Sequence, residues 1–168
     1  YNPAVFYSCT AGFFIYLKDL ILLMLITEIL ARNAREYTDD TALIERAPAE
    51  GTRKEISWKE FYQASNAFAN ALDANGIQKG DKVVQLMTNC LEWLPIYFGI
   101  LSTGAWVVPL NFRFESDKIL HCTDISQASV FIFGEEFIDR IEAVKEALDK
   151  HVRLWIFTGP ESLCPQWA

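Results

Sequence analysis

Residues 80–114, GDKVVQLMTNCLEWLPIYFGILSTGAWVVPLNFRF, decide the fold. Gly80-Asp81 turns the chain into an apolar strand over about 82–87. The run WLPIYFGIL is apolar on nearly every side, so the helix it forms must be buried. Gly104 ends that helix, and Ala105 to Val108 form a second strand expected to be packed on both faces. Pro109 closes it where no further ladder bond is wanted, and Asn111 and Arg113 emerge at its carboxyl edge. Two details are less regular. Asn89 with Glu92 has the spacing of a capping box, and Pro95 sits late for a first-turn proline, which predicts an irregular or kinked helix start.

The same alternation continues downstream: a helix over about 116–125, a strand over 129–133, a helix over 135–149 and a strand over 152–157. The strands VVQLM, AWVVP, SVFIF and RLWIF are short and apolar on both faces, as strands of a parallel sheet covered by helices must be. The 135–149 helix carries Glu135 and Glu136 at its start and Lys145 and Lys150 near its end, and Phe137, Ile141, Val144 and Leu148 face inward. Upstream, an amphipathic helix over 25–38 precedes two short strands, TALIER and RKEISW, around a loop with Pro48 and Gly51. Ser57 and Glu60 form a capping box, Phe61, Ala64, Phe68 and Leu72 line one helix face, and Asn75-Gly76 stops the helix. The expected fold class is α/β: an open, mostly parallel, doubly wound sheet with flanking helices and right-handed crossovers.

The 168 residues suffice for one domain, 51% are apolar and 22% charged, and the net charge is -7 without any basic cluster. Nucleic acid is excluded as a partner on that ground. Cysteines at 9, 90, 122 and 164 show no zinc spacing, which fits a reduced, cytoplasmic chain. His121 and Cys122, adjacent on a helix, point about 100° apart and read as structural, as does His151.

Residues 1–26 carry a single lysine and a single aspartate, Lys18 and Asp19, which split their apolar run into pieces shorter than the roughly 20 residues a membrane span needs. Two readings remain for this stretch. Met24 is the natural start and residues 1–23 are upstream sequence, or residues 1–26 associate with a membrane. The remainder, 24–168, is read as one unit.

The carboxyl ends of the parallel strands, where such sheets bind ligands, read TNCLEW, PLNFRFES, FGEEF and FTGPE. None is a phosphate cradle, since neither GxGxxG nor GxxxxGK[ST] occurs, and no G-x-S-x-G elbow or nucleophile–base pair is present. The acid pairs Asp39-Asp40 and Glu135-Glu136 read as a solvated loop and a helix start. Phe98, Trp106 and Phe112 read as core residues or, alternatively, as a pocket wall.

Residues 56–114 resemble the amino-terminal part of the AMP-forming acyl-CoA synthetases and their adenylate-forming relatives. Three signatures carry the likeness in order: the Ser57-Trp58-x-Glu60 helix start, Gly76 with Gly80-Asp81, and Asn89-x-x-Glu92-Trp93 leading into GILSTGAWVVPLN. The likeness extends over about 25–157. It implies an ATP- and Mg2+-dependent ligase of fatty acid metabolism that converts a carboxylic acid to an acyl-adenylate and transfers the acyl group to coenzyme A.

The same resemblance implies that no catalytic or metal residue lies in this chain, because the family's phosphate-binding loop, acidic motifs and carboxy-terminal lysine are not in it. Only Arg113 is carried over, as a contact to the phosphates of coenzyme A, with a structural salt bridge as its alternative. The expectation is an incomplete piece, truncated before the phosphate-binding loop, that neither adenylates an acid nor binds ATP tightly. The rival is a free-standing α/β binding or interaction domain without catalysis. Sequencing the next hundred codons separates the two.

Overall fold

The computed structural model describes residues 24–49 and 51–168. Residues 1–23, on which the two readings of the amino terminus fall, lie outside the described residues. Helix α1 (Ile26–Glu36) leads to an antiparallel hairpin of β1 (Thr41–Ala47) and β2 (Thr52–Ser57), and α2 (Trp58–Ala74) follows. The crossover units come next: β3 (Lys82–Leu86), α3 (Trp93–Ser102), β4 (Trp106–Pro109), α4 (Ser116–Ser126), β5 (Val130–Gly134), the short helices α5 (Ile138–Glu142) and α6 (Lys145–Leu148), and β6 (Leu154–Thr158).

Strands β3 to β6 form one parallel sheet in the order β4-β3-β5-β6, the open α/β layer expected. Each strand alternates between two cores. Val84, Leu86, Phe131 and Phe133 face Ile119 of α4, Ile141 of α5 and Leu148 of α6. Val83, Val130 and Ile132 face Leu72 of α2 with Ile96 and Ile100 of α3. The chain runs outward from β3 to β4 through a helix on one face, then reverses to β5 through a helix on the other. Constant crossover handedness requires that change of face.

Local details depart from the sequence reading in five places. Asn89 caps nothing: α3 begins at Trp93 with Glu92 as its N-cap residue and no side-chain cap bond. Pro95 therefore lies in the first turn, where its missing N–H has no helical acceptor to lose, and the expected kink is not needed. The expected 135–149 helix is broken into a 3-10 turn at Glu135–Phe137, α5 and α6, although Phe137, Ile141 and Leu148 are all buried as predicted. Between α5 and α6, Val144 leaves helical geometry with φ -128° and ψ 2°.

On α2 the Ser57–Glu60 capping box forms, with the Glu60 amide donating to Ser57 Oγ at 3.2 Å and the Ser57 amide to Glu60 Oε2 at 2.8 Å. The buried stripe is Phe61, Ser65, Ala69 and Leu72, whereas Ala64 is exposed. Small residues are needed there. A Cβ on Gly99 of α3 would meet the Ser65 backbone oxygen at 2.8 Å, so the two helices approach more closely than any side chain at 99 would permit.

The fifth departure concerns β4. It is an edge strand, exposed at Trp106 and Pro109 and only half-buried between them, not packed on both faces. The Trp106 and Leu110 amides donate to Asp81 and Gln85 carbonyls at 2.7 and 2.9 Å, so residues 107 and 109 present their amide positions to the open side. Pro109 has no N–H to present, which removes a donor from an edge that would otherwise recruit another strand.

Candidate functional site

The strand order reverses at β3, so the switch point lies between β3 and β5, where a doubly wound sheet opens a crevice beyond its carboxyl ends. An open cleft of about 580 Å3 sits there. Thr88, Cys90 and Glu92 from the loop after β3 form one wall, Gly134 to Glu136 at the end of β5 and Thr158 to Pro160 at the end of β6 another, and Lys54 reaches in from β2.

The electrostatics are acidic. Among the described residues, Glu92, Glu135 and Glu136 face the cleft against a single cation, Lys54, whose ammonium lies 3.4 Å from Glu45. Glu45 also accepts the Leu91 amide at 2.8 Å. That amide first, and then Lys54, hold its carboxyl below the usual range. Across the cleft, Glu136 Oε1 accepts both the amide of Thr88, at 3.2 Å, and its hydroxyl. Burial, reinforced by Glu92, pushes the Cys90 thiol up to about 11, so it stays protonated near neutral pH.

These residues do not fit a triphosphate, which needs amide nests and cations where this cleft offers carboxylates. Among the described residues, no group of three or more His, Cys, Asp and Glu side chains is placed to hold a metal ion. The acid pair Glu135-Glu136 opens a 3-10 turn rather than a regular helix, and Glu136 braces the β3–α3 loop.

Arg113 lies outside the cleft, in the exposed turn after β4. Its amide donates to Asn111 Oδ1 at 2.9 Å, and its guanidinium stands over the Phe112 ring at 5.3 Å from the centroid. The salt bridge weighed as its alternative role is not formed with any described residue. The arginine that does hold this loop is Arg140, which sequence reasoning passed over. Its Nη1 donates to the Phe112 and Phe114 carbonyls at 3.0 and 3.2 Å, and its Nε lies 3.7 Å from Glu115.

Of the three aromatic residues singled out in the sequence, Phe98 packs edge-on against Phe61 at 5.2 Å, while Trp106 and Phe112 are 68% and 44% exposed. His151 pairs with Asp124 at 3.1 Å, tying the turn before β6 to α4, consistent with a structural role. Among the described residues no helix is long and apolar enough to cross a membrane.

Comparison with known proteins places this geometry in context. A crotonobetaine/carnitine–CoA ligase of Salmonella paratyphi A is 30% identical over 113 residues, which are 67% of this chain and 22% of the relative. The N-terminal domain of FACL13 from Mycobacterium tuberculosis superposes with a TM-score of 0.72 at 28% identity, covering 82% of this chain and 34% of that one. A Mycobacterium tuberculosis fatty acyl CoA synthetase does so with a TM-score of 0.71 at 28% identity, covering 79% and 26%. The chain thus spans about a fifth of the length of the curated ligase it matches. The family model of the AMP-binding enzymes matches residues 30–162, well over half the chain, and the chain belongs to that family.

Proposed function

We propose that residues 24–168 are the amino-terminal portion of a cytoplasmic AMP-dependent acid–thiol ligase, an acyl-CoA synthetase. The whole protein activates a small-molecule carboxylic acid with ATP and Mg2+ as an acyl-adenylate, and transfers the acyl group to coenzyme A. The observation that carries this reading is the continuous family match over residues 30–162, shared with relatives named as CoA ligases and a fatty acyl CoA synthetase.

The contribution of this stretch to the reaction is structural, with one exception. The acidic cleft supports the view that the phosphate and metal contacts come from other parts of the enzyme, and that the 168-residue chain alone completes neither step. Arg113 is the exception: exposed, always charged, and pre-oriented by Phe112, it contacts a phosphate of coenzyme A.

The test uses an enzyme extended beyond residue 168. Pyrophosphate exchange with a panel of carboxylic acids is expected from the extended protein and not from the 168-residue chain; exchange by the short chain, or none by the long one, overturns the reading. In the extended enzyme, Arg113→Ala raises KM for coenzyme A several-fold and leaves KM for ATP unchanged. An unchanged coenzyme A KM removes Arg113 from the site.

A further inference from the structure

The loop between β3 and α3, residues 87–92, walls the cleft without belonging to a strand or a helix. Two carboxylates from distant parts of the chain take its backbone amides. Glu45 of β1 accepts the Leu91 amide at 2.8 Å, across 46 residues of sequence, and Glu136 accepts the Thr88 amide at 3.2 Å, across 48. Between these two bonded amides lies Cys90, whose side chain is half-buried in the cleft wall.

The hairpin that supplies Glu45 is loosely seated. No residue of β1 or β2 is fully buried. A groove of about 260 Å3 runs between Leu43 to Arg46 of the hairpin and Asn89, Cys90, Leu91 and Leu94. The Glu45 bond to Leu91 bridges it, with Lys54 of β2 neutralising the same carboxylate from the cleft side. Elements with few buried apolar contacts are the ones that open locally.

We infer that Glu45 and Glu136 are paired latches on the β3–α3 loop, that the β1–β2 hairpin is a flap carrying one of them, and that release of either latch frees the loop and widens the cleft at the switch point. With both latches made, Thr88, Cys90 and Leu91 are held as a unit between the hairpin and the β5 turn. With either released, the loop swings and the half-buried thiol meets solvent. The inference stands on the fold and does not depend on the proposed ligase reaction.

The experiment is residue-resolved amide hydrogen exchange on the full 168-residue chain, with iodoacetamide alkylation of Cys90 followed by peptide mass spectrometry. Glu45→Ala is expected to accelerate exchange at both Leu91 and Thr88 by about tenfold, the scale of one lost amide bond, and to alkylate Cys90 several-fold faster. Glu136→Ala does the same at all three positions. Glu45→Gln, whose amide oxygen still accepts the Leu91 N–H, stays near wild type at Leu91. Amides of Phe131 and Phe133 serve as the control and keep their wild-type rates. Acceleration confined to the directly bonded amide, with Cys90 unchanged, overturns the shared device. So does equal acceleration of the β5 amides, which reports general destabilisation, or a Glu45→Gln variant as fast as Glu45→Ala.

Discussion

Strands β5 and β4 are written in similar letters, VFIF and WVVP, and meet different fates. Every residue of β5 is buried, whereas β4 buries none. The difference is place, not hydrophobicity: β5 has a hydrogen-bonded neighbour on each side and a core on each face, while β4 has β3 alone. Apolar character makes a strand eligible for the interior, and the strand order decides whether it gets there. The loops follow the same division: the cleft opens where the covered strands β3 and β5 end, and Arg113 projects beyond the uncovered one.

The sharpest way to break the comparison is Phe133→Ala. Phe133 is fully buried among Phe131, Trp155, Phe157 and Trp167, with ring centroids 5.2 to 6.4 Å apart. Urea denaturation is expected to show a loss of about 3–5 kcal/mol, the cost of a large cavity among rigid neighbours.

Next comes Gly99→Val, which drives a side chain into the Ser65 carbonyl and should cost about 1–3 kcal/mol by overpacking the α2–α3 contact. A value near zero would mean that these helices slide apart freely, contrary to the tight approach described.

Ser57→Ala removes the α2 cap and is expected to cost about 1 kcal/mol. The capping box also has a pH signature. Its Ser57 amide and hydroxyl lower the pKa of Glu60 from 4.5. A carboxylate with a depressed folded-state pKa contributes stability that is present above the ordinary value and lost as pH falls through the folded one. Titrating stability downward from pH 6 in wild type and Ser57→Ala should therefore narrow the gap between the two curves without closing it, because the hydroxyl's bond to the Glu60 carboxylate is lost on protonation while the bond from the Glu60 amide to Ser57 Oγ persists.

Smallest of all, Trp106→Thr on β4 should change stability by no more than about 0.5 kcal/mol, despite deleting an indole, because that ring is 68% exposed. A loss comparable with that of Phe133→Ala would erase the distinction between the two strands.

Much of this was legible in the residues. The alternation of short apolar runs with amphipathic stretches announced a parallel sheet with helices on both faces, and the Ser57-x-x-Glu60 box marked a helix start that forms as written. The identical logic failed at Asn89-x-x-Glu92, where the helix waits until Trp93. A capping pattern states only that two side chains could satisfy free amides; in the loop, carboxylates from β1 and the β5 turn take the amides of Leu91 and Thr88 instead. Those partners lie more than forty residues away, beyond the reach of any local pattern.

Sequence alone determined the class of fold, the order of the strands and most of the helices, the two-faced core and the resemblance that led to the family. These follow from periodicity and turn chemistry, which act over a few residues. Tertiary structure decided which strand lies at the edge, why Pro109 closes it, and which side chains hold the loops around the cleft. Strand order and register bring distant residues together through non-local pairing, and that pairing is a property of the assembled sheet rather than of any segment within it.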